Sequence, residues 1–488
     1  MWFKWFPHCA RHLTMVMWRN TMTEPSELCA TDLMAAYRSG HVSPVDTMHS
    51  LLARLEIAEP LLAATWAVDA EAALASARAS EGRWRAGRPI GPLDGIPVSI
   101  KEMIATRGTA KPIGTAAGDM TPQPRDAPPA ARVREAGAII WGKTTNPDFG
   151  MLSSGLSSFH RLSRNPWDPT LTPGGSSAGA ATAAAAGYGP LHVGTDIGGS
   201  VRLPAGWCGI FTLKPSNGRV PIDPPYIGRI AGPMTRTVTD AALLMAVLSK
   251  PDPRDYMSLP AEYLPWEDLG LDLRGVRVGL MLDAGCGLPV DPEITTAIVA
   301  AAALFEAQGA VIEAVPPLMT RDMLDGLDRF WRIRFFEQTR DLPPDRYALI
   351  LPYIRAWVEA ARDYDGMQVY TGFDQIMKMR EAGRDAFEGY DFFLSPTAPV
   401  SAFPAEFASP LNDPTRPFEH IAFTAPWNMT EQPAASINCG YTSKGLPIGL
   451  QIVGRRFDDM GVLRMSRAYE RIRPAQRPWP TPWLREAA

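Results

Sequence analysis

The chain has 488 residues, 46% of them hydrophobic and 20% charged, which is the composition of a globular protein with a sizeable core. Its 48 basic and 52 acidic residues include no basic block, so neither nucleic acid nor an anionic membrane is expected as a partner. The five cysteines are widely spaced and form no CxxC pair, which argues against a disulfide framework or a metal site and for a reducing, cytoplasmic compartment.

The first 21 residues differ from the rest of the chain. Lys4, His8 and Arg11 interrupt the apolar run that a signal peptide requires, and no small-residue cleavage site follows. Since Met22 opens an ordinary domain sequence, we interpret residues 1–21 as a non-conforming N-terminal extension, either disordered or an artefact. An amphipathic anchor at a membrane surface is the alternative interpretation.

Helical patterns alternate with short apolar strands in the first half of the chain. Helices are predicted over residues 31–40, 44–59, 69–86 and 126–137, and an Ala-rich helix is predicted after Ser177. Ser43 is the expected N-cap of the second helix, and Pro60 is expected to end it. Apolar strands are predicted at three places: leading to Lys101, over 138–141 and over 191–195. This alternation is typical of an α/β fold with a largely parallel sheet.

Strands return near the end of the chain. Between about 255 and 390 the pattern is mostly helical, apart from one strand–helix unit that ends at Gln308. Three strands are predicted at 391–396, 434–440 and 447–454, followed by a helix from about Asp459. Because no Gly-rich linker separates the two halves, we expect a single large α/β domain with a central mixed, largely parallel sheet covered by helices on both faces.

Residues 137–144 match the letters of the phosphate-binding P-loop, GxxxxGK[ST]. The middle residues of this match form an apolar strand, and a buried strand cannot direct its N–H groups at a phosphate. We therefore interpret Gly142, Lys143 and Thr144 as the turn at a strand end and expect no nucleotide there.

Residues 175–179 match GxSxG, the nucleophile elbow of α/β-hydrolases. That motif requires a strand before the serine, whereas prolines interrupt residues 168–173. His192 lies in an apolar strand and is expected to be a core residue, which leaves a triad of Ser177 with His420 as an alternative hypothesis.

Two glycine-serine loops, at 174–177 and 198–200, flank the Ala-rich helix. Such loops can direct backbone N–H groups at a ligand, because glycine adopts conformations that other residues avoid. A serine hydroxyl becomes a good nucleophile only beside a base, and burial can make a lysine such a base by disfavouring its charged form. Lys101, at the end of an apolar strand, meets that requirement.

Three sequence blocks around these residues resemble the core blocks of the amidase signature family of serine hydrolases. They are GIPVSIKE around Lys101, NPWDPTLTPGGSSAGAA around Ser176 and GTDIGGSVRLPAGWCGIFTLKP around Ser200. The likeness extends to GKTTNPDFGM, FTAPWNMTEQPAASINCG and GLPIGLQIVG, and covers about residues 28–468, weakly between about 255 and 390.

The resemblance implies a role for each of these residues. Ser200 is the expected nucleophile, Ser176 the proton relay after a cis peptide bond, and neutral Lys101 the base. The oxyanion hole is expected from the backbone N–H groups of Ile197, Gly198, Gly199 and Ser200. Supporting roles around the two loops are expected for Ser177, Asp196 and Arg202.

The resemblance also divides the chain. Residues 22–488 are expected to form one amidase signature domain, with a catalytic core at about 90–250, a variable helical pocket region at about 255–390, and C-terminal strands and a helix at 391–488. Aromatic residues of the pocket region are candidates for an apolar substrate pocket, with core packing as the alternative: Trp331, Phe335, Phe336, Tyr353 and Trp357.

We expect an amidase that forms an acyl-enzyme and hydrolyses a small-molecule amide, anilide or carbamate (urethane), as a monomer or homodimer without metal or cofactor. The middle region lacks the helical stretch typical of the A-type chains of glutamyl-tRNA amidotransferases, but a glutamine-amidotransferase chain of this A type is the first alternative. The others are the His-dependent hydrolase and a non-catalytic binding homologue.

Overall fold

A mixed sheet of eleven strands runs through residues 24–484, the part of the chain that the computed structural model describes. The expectation for residues 1–21 lies outside these residues. In chain order the strands are β1 (Thr65–Trp66), β2 (Pro97–Lys101), β3 (Ile139–Thr144), β4 (Leu191–Asp196), β5 (Phe211–Lys214), β6 (Ile230–Thr235), β7 (Arg277–Leu280), β8 (Val311–Ala314), β9 (Phe392–Pro396), β10 (Ala434–Tyr441) and β11 (Pro447–Gly454).

The strand order across the sheet is β1-β3-β2-β4-β6-β5-β10-β11-β9-β7-β8. Strands from both ends of the chain therefore enter one sheet, as predicted. Parallel pairs occur in two groups, β3-β2-β4 and β9-β7-β8. All other pairs of neighbouring strands are antiparallel, and these antiparallel pairs outnumber the parallel ones. The sheet is thus mixed, but less parallel than predicted, because short connections such as the one between β10 and β11 reverse the chain direction.

Helices cover both faces of the sheet. They are α1 (Ala30–Ser39), α2 (Pro44–Leu62), α3 (Ala70–Arg85), α4 (Pro128–Glu135), α5 (Ala178–Ala186), α6 (Arg202–Cys208), α7 (Val238–Leu248), α8 (Pro292–Glu306), α9 (Arg321–Thr339), α10 (Pro344–Tyr347), α11 (Pro352–Glu359), α12 (Gly366–Ala386), α13 (Ala425–Met429) and α14 (Asp459–Ile472).

Successive residues of β9 pack against opposite sets of helices, since side chains alternate along a strand. Phe392 and Leu394 belong to the apolar cluster formed with α7, α8 and α14. Phe393 belongs to a second cluster formed with α9, α11 and α12. The predicted arrangement of helices on both faces is therefore confirmed.

Two helix boundaries differ from the prediction. Pro60 lies within α2, which continues to Leu62 because that side chain is fully buried and one missing N–H bond in the last turn is tolerated. The helix expected from Asp126 begins at Pro128, since proline fits the first turn of a helix. The carboxylate of Asp126 instead accepts a hydrogen bond from the Arg107 N–H at 2.8 Å.

Gly142, Lys143 and Thr144 belong to β3 rather than to a turn. Lys143 and Thr144 continue the parallel pairing with β2, opposite Ile100 and Lys101. The buried Lys143 Nζ donates a hydrogen bond to the Ile104 carbonyl, so its amino group points into the protein. This placement agrees with the rejection of a P-loop.

Two further observations concern membrane-spanning helices and disulfide bonds. Within residues 24–484, no helix has both the length and the apolar character needed to cross a bilayer. The cysteines of this part, Cys29, Cys208, Cys286 and Cys439, are all free thiols.

Candidate active site

Lys101 is the last residue of β2. It lies at the carboxyl ends of the neighbouring parallel strands β2 and β4. Its side chain is fully buried. The Nζ atom lies within hydrogen-bond distance of three hydroxyl oxygens: Ser176 Oγ at 2.8 Å, Thr195 Oγ1 at 2.9 Å and Ser177 Oγ at 3.1 Å. The amine therefore has hydroxyl groups rather than carboxylates as its direct partners.

The surroundings of Lys101 disfavour its charged form. Burial is the largest cause that lowers the pKa of Lys101 well below its ordinary value, and the Arg229 guanidinium lowers it further. Asp196 and Glu102 act in the opposite direction but do not reverse the shift. The Glu102 carboxylate is itself directed at backbone, accepting hydrogen bonds from the Ile113 and Gly114 N–H groups.

The first serine loop begins α5 and is held by β4. The Gly175–Ser176 peptide bond is cis, and Ser177 is the N-cap residue of α5. The Ser177 Oγ donates to the Thr195 carbonyl at 3.1 Å and accepts from the Thr195 N–H at 3.2 Å. The Ser177 N–H donates to the Ser200 carbonyl at 3.1 Å. Ser177 thus joins the two serine loops and the lysine.

The second serine loop lies at the end of β4. Ser200 lines a cavity together with Ser176 and Thr195, so the structure brings both serines to one space. Among the described residues, the backbone N–H groups of Ile197, Gly198 and Ser200 find no acceptor.

Gly199 differs from the other three expected oxyanion donors. Its N–H donates to Asp196 Oδ1 at 2.8 Å and is therefore occupied in this structure. Its φ of 126° is a conformation that glycine tolerates best, and a Cβ atom there would come within 2.6 Å of Thr424 Oγ1. The residue therefore shapes the loop, and its own N–H is already bonded within the protein.

Asp196 and Arg202 form a completely buried ion pair beside this loop. Arg202 Nη2 lies 3.0 Å from Asp196 Oδ1, and Arg202 Nε lies 3.1 Å from Oδ2. The remaining Arg202 N–H groups donate to parts of the chain that are distant in sequence: the Thr424 carbonyl, Asn428 Oδ1 and Gln451 Oε1. Burial opposes the charge of Asp196, but the Arg202 guanidinium outweighs it and lowers the pKa of the carboxyl below its ordinary value.

Several residues of the site were absent from the sequence prediction: Thr195, Arg229, Thr424, Asn428 and Gln451. Four of them lie in the sequence blocks that carry the family resemblance, and this position in the blocks could have identified them as site residues. Arg229 lies outside those blocks and becomes visible only because it lines the same cavity as Ser176 and Ser200.

The aromatic candidates separate into two groups. Trp331, Tyr353 and Trp357 line the cavity that contains Ser200, and Phe335 lines its continuation towards Ser176. Phe336 packs elsewhere on α9, with the Arg362 guanidinium over its ring. The pocket therefore combines apolar walls with the serine loops.

In residues 24–484, neither His420 of the alternative triad nor the core residue His192 forms a hydrogen bond with a serine of these loops. His192 is bonded to Ser99 Oγ at 2.7 Å and to the Gly189 carbonyl at 3.1 Å, as expected for a core residue. His420 stacks on Trp207, and burial lowers its pKa to about 3. The Ser177 hydroxyl is bonded to Thr195, so the geometry of a Ser177–His420 triad is absent from the described residues.

The chain is similar to known proteins over most of its length. The profile of the family described as Amidase matches residues 46–463. The A-type chain of the glutamyl-tRNA(Gln) amidotransferase from Chloroflexus aurantiacus is 35% identical over 92% of this chain and 98% of its own length. The similarity extends over almost the whole of both chains, so it supports the glutamine-amidotransferase alternative.

Solved structures are similar over almost the whole chain. A bacterial aryl acylamidase of the amidase signature enzymes aligns with a TM-score of 0.85 and 29% identity, over 92% of this chain and 97% of its own. A peptide amidase from Stenotrophomonas maltophilia aligns with a TM-score of 0.79 and 25% identity, over 93% of this chain and 98% of its own.

We predict that Arg202→Gln lowers the free energy of unfolding by about 3–5 kcal/mol, because it leaves the buried Asp196 carboxylate without its cation. Urea denaturation followed by circular dichroism measures the change. Arg277→Gln is the control, since the Arg277–Glu313 pair is 50% and 40% exposed and is expected to contribute at most about 1 kcal/mol. Equal effects of the two variants would contradict a structural role for the buried pair.

Proposed function

The chain belongs to the amidase signature family, and we propose that it cleaves the C–N bond of an amide by transferring the acyl group to Ser200. The observation that carries this proposal is the contact between the buried Lys101 Nζ and Ser176 Oγ at 2.8 Å, beside the cavity that Ser200 lines. A serine of ordinary reactivity needs such a nearby base.

The hydrogen bonds around Lys101 support its role as a neutral base. A neutral amine has two N–H donors and one lone pair. Ser177 Oγ already donates its proton to the Thr195 carbonyl, and Thr195 Oγ1 donates to Met103 Sδ at 3.4 Å. Both oxygens are therefore acceptors for the two N–H groups of Lys101. In the neutral amine the lone pair then faces Ser176 Oγ, 2.8 Å from Nζ. The Ser176 O–H can donate to this lone pair, whereas the ammonium form of Lys101 donates to Ser176 Oγ.

The proposed reaction has two steps. In the first, the Ser200 Oγ–carbon bond forms while its proton passes to Ser176 and the Ser176 proton passes to Lys101. The C–N bond then breaks, and Ser176 returns a proton to the leaving nitrogen as Lys101 reprotonates Ser176. In the second step, water forms a bond to the acyl carbon while its proton passes through Ser176 to Lys101. The bond between Ser200 Oγ and the acyl carbon then breaks, a proton returns to Ser200 by the same route, and the carboxylic acid is released.

The oxyanion of each tetrahedral intermediate needs backbone donors. We assign these to the N–H groups of Ile197, Gly198 and Ser200, which lack acceptors among the described residues. Gly199 belongs to the same loop, but its N–H donates to Asp196 and orients the loop from behind. Loss of one oxyanion donor costs about 3 kcal/mol of activation free energy in other enzymes.

The relatives favour a glutamine-amidotransferase A-type role over hydrolysis of anilides or carbamates. The relative at 35% identity is named for glutamyl-tRNA(Gln) amidotransfer. In that role the chain would release ammonia from an acid amide and pass it to an enzyme formed with partner subunits. None of the relatives reported above is named for carbamate cleavage.

A free-standing amidase is the second candidate. It is favoured by the aromatic walls of the cavity, Trp331, Tyr353 and Trp357, and by the similarity to an aryl acylamidase with a TM-score of 0.85. These aromatic walls suit an aryl or alkyl group next to the scissile amide.

We expect Ser200→Ala and Lys101→Ala each to lower amide hydrolysis by at least about 1000-fold, because nucleophile and base act as one unit. Release of ammonia from glutamine and of 4-nitroaniline from acyl anilides measures turnover, and a fluorophosphonate probe measures acylation of Ser200. His420→Ala is the matched control and should retain activity. Wild-type turnover by Ser200→Ala would overturn the assignment.

The Arg229→Gln variant should shift the acidic limb of the pH profile to higher pH. Arg229 lowers the pKa of Lys101, second only to burial, so its removal raises that pKa and the neutral base forms only at higher pH. The measurement is kcat/KM against pH, which reports groups of the free enzyme. Arg355→Gln, outside the cavity, should leave the profile in place; an unshifted limb in Arg229→Gln would contradict Lys101 as the base.

The two candidate roles differ in their need for a partner. An A-type chain should hydrolyse glutamine weakly alone and pass ammonia to a glutamylated acceptor only after partner subunits have been added. A free amidase should reach full activity as a purified chain on small amides. Steady-state assays of the purified chain, with and without a reconstituted set of subunits from a related amidotransferase, distinguish these outcomes.

A further inference from the structure

Two arginines without carboxylate partners face the space between the two serine loops. Arg229 and Arg334 line the same cavity as Ser176 and Ser200. Neither guanidinium forms an ion pair within 4.0 Å in residues 24–484. Arg229 and Arg334 are partly buried, whereas Arg202 is fully buried and has Asp196 as its partner.

Arg334 projects from α9 among aromatic rings. Its Cζ lies 3.6 Å from the centroid of Tyr226 and 5.0 Å from that of Phe335. Its Nε atom is buried and has no hydrogen-bond partner. The aromatic faces favour a cation there, but they leave the N–H donors unused.

Arg229 comes from a turn in the segment before β6. The backbone N–H of Arg229 donates to the Tyr226 carbonyl at 3.0 Å. This turn brings Arg229 beside Tyr226, whose ring lies under the Arg334 guanidinium. Asp223, a nearby acid, pairs with Arg125 at 3.3 Å instead. Burial and the neighbouring Arg334 charge together lower the pKa of Arg229 to about 10.

The protein offers these two cations no available anion among the residues lining the cavity. Asp196 also lines it, but its carboxylate accepts from Arg202, from the Gly199 N–H and from Asn428 Nδ2. Unpaired charges in a low-dielectric cavity are costly, and the cost is offset when an anion binds. Guanidinium groups present paired donors that match a carboxylate.

We propose that this cavity binds a carboxylate of the substrate through Arg229 and Arg334, so that the enzyme prefers amides whose acyl or amine part is acidic. The inference rests on the proposed amide cleavage at Ser200 and specifies its substrate class. Dicarboxylic monoamides and amides of amino acids belong to this class.

The test compares substrates that differ only in the carboxylate. Mono-4-nitroanilides of succinic, glutaric and adipic acids are paired with the 4-nitroanilides of butyric, valeric and hexanoic acids. In the wild-type protein, kcat/KM should be at least about 10-fold higher for the acidic member of at least one of these three pairs. This ratio corresponds to a difference in activation free energy of about 1.4 kcal/mol. Arg229→Gln and Arg334→Gln should reduce this ratio to about 3 or less.

The ratio within one variant removes any effect common to both substrates, including the effect of Arg229 on the pKa of Lys101. Arg355→Gln is the matched control, because Arg355 also has a buried Nε without a partner but does not line the cavity. It should retain the wild-type ratio. Arg229→Lys, which keeps the positive charge, should retain part of it.

Binding to Ser200→Ala separates this inference from the proposed function. Isothermal titration calorimetry should give at least about 10-fold tighter binding of the acidic member, and Arg334→Gln in the same background should abolish the difference. Preferential binding without turnover in the wild type would refute the proposed function but keep the carboxylate site. Equal affinity for the two members, or no binding of either, would overturn the carboxylate site.

Discussion

The buried ion pair between Asp196 and Arg202 connects the parts of the chain that form the site. Asp196 ends β4 and holds the second serine loop through the Gly199 N–H. Arg202 begins α6 and reaches Asn428 and Gln451 in the C-terminal part of the chain. Because every donor of the guanidinium is bonded, the cost of burying the two charges is offset by hydrogen bonds as well as by their attraction. The pair thereby fixes the loop that presents Ser200.

The hydroxyl groups around Lys101 suit an amine that changes its protonation state. A carboxylate would hold the lysine as a permanent cation, whereas a hydroxyl can accept a hydrogen bond from the ammonium form or donate one to the neutral amine. Ser177 and Thr195 accept in both states, and Ser176 can reverse its direction. Arg229 adds a positive charge that disfavours the ammonium form. The same charge is available to a substrate carboxylate, so base strength and substrate choice share one residue.

The two kinds of strand pairing have separate roles. The carboxyl ends of the parallel strands β2 and β4 lie side by side, which brings Lys101 Nζ within 2.9 Å of Thr195 Oγ1. The antiparallel strands β10 and β11 lie beyond β5 and supply Gln451, which supports Arg202 from the other side. A fully parallel sheet would need crossover connections where this chain uses a hairpin. The C-terminal third of the chain thus completes a site whose reactive groups all come from the first half.

The sequence by itself determined the family, the reactive residues Lys101, Ser176 and Ser200 as candidates, and the alternation of helices and strands, because motifs and periodicity are local properties of the chain. It also predicted that Ser177 and the Asp196–Arg202 pair support the loops. The strand directions, the continuation of α2 past Pro60 and the occupied Gly199 N–H depended on connections and contacts that no local pattern encodes. Only the tertiary structure decided that Arg229 and Arg334 share the cavity of the serines without a carboxylate partner among the described residues, since residues distant in sequence become neighbours only when the sheet and α9 are packed together.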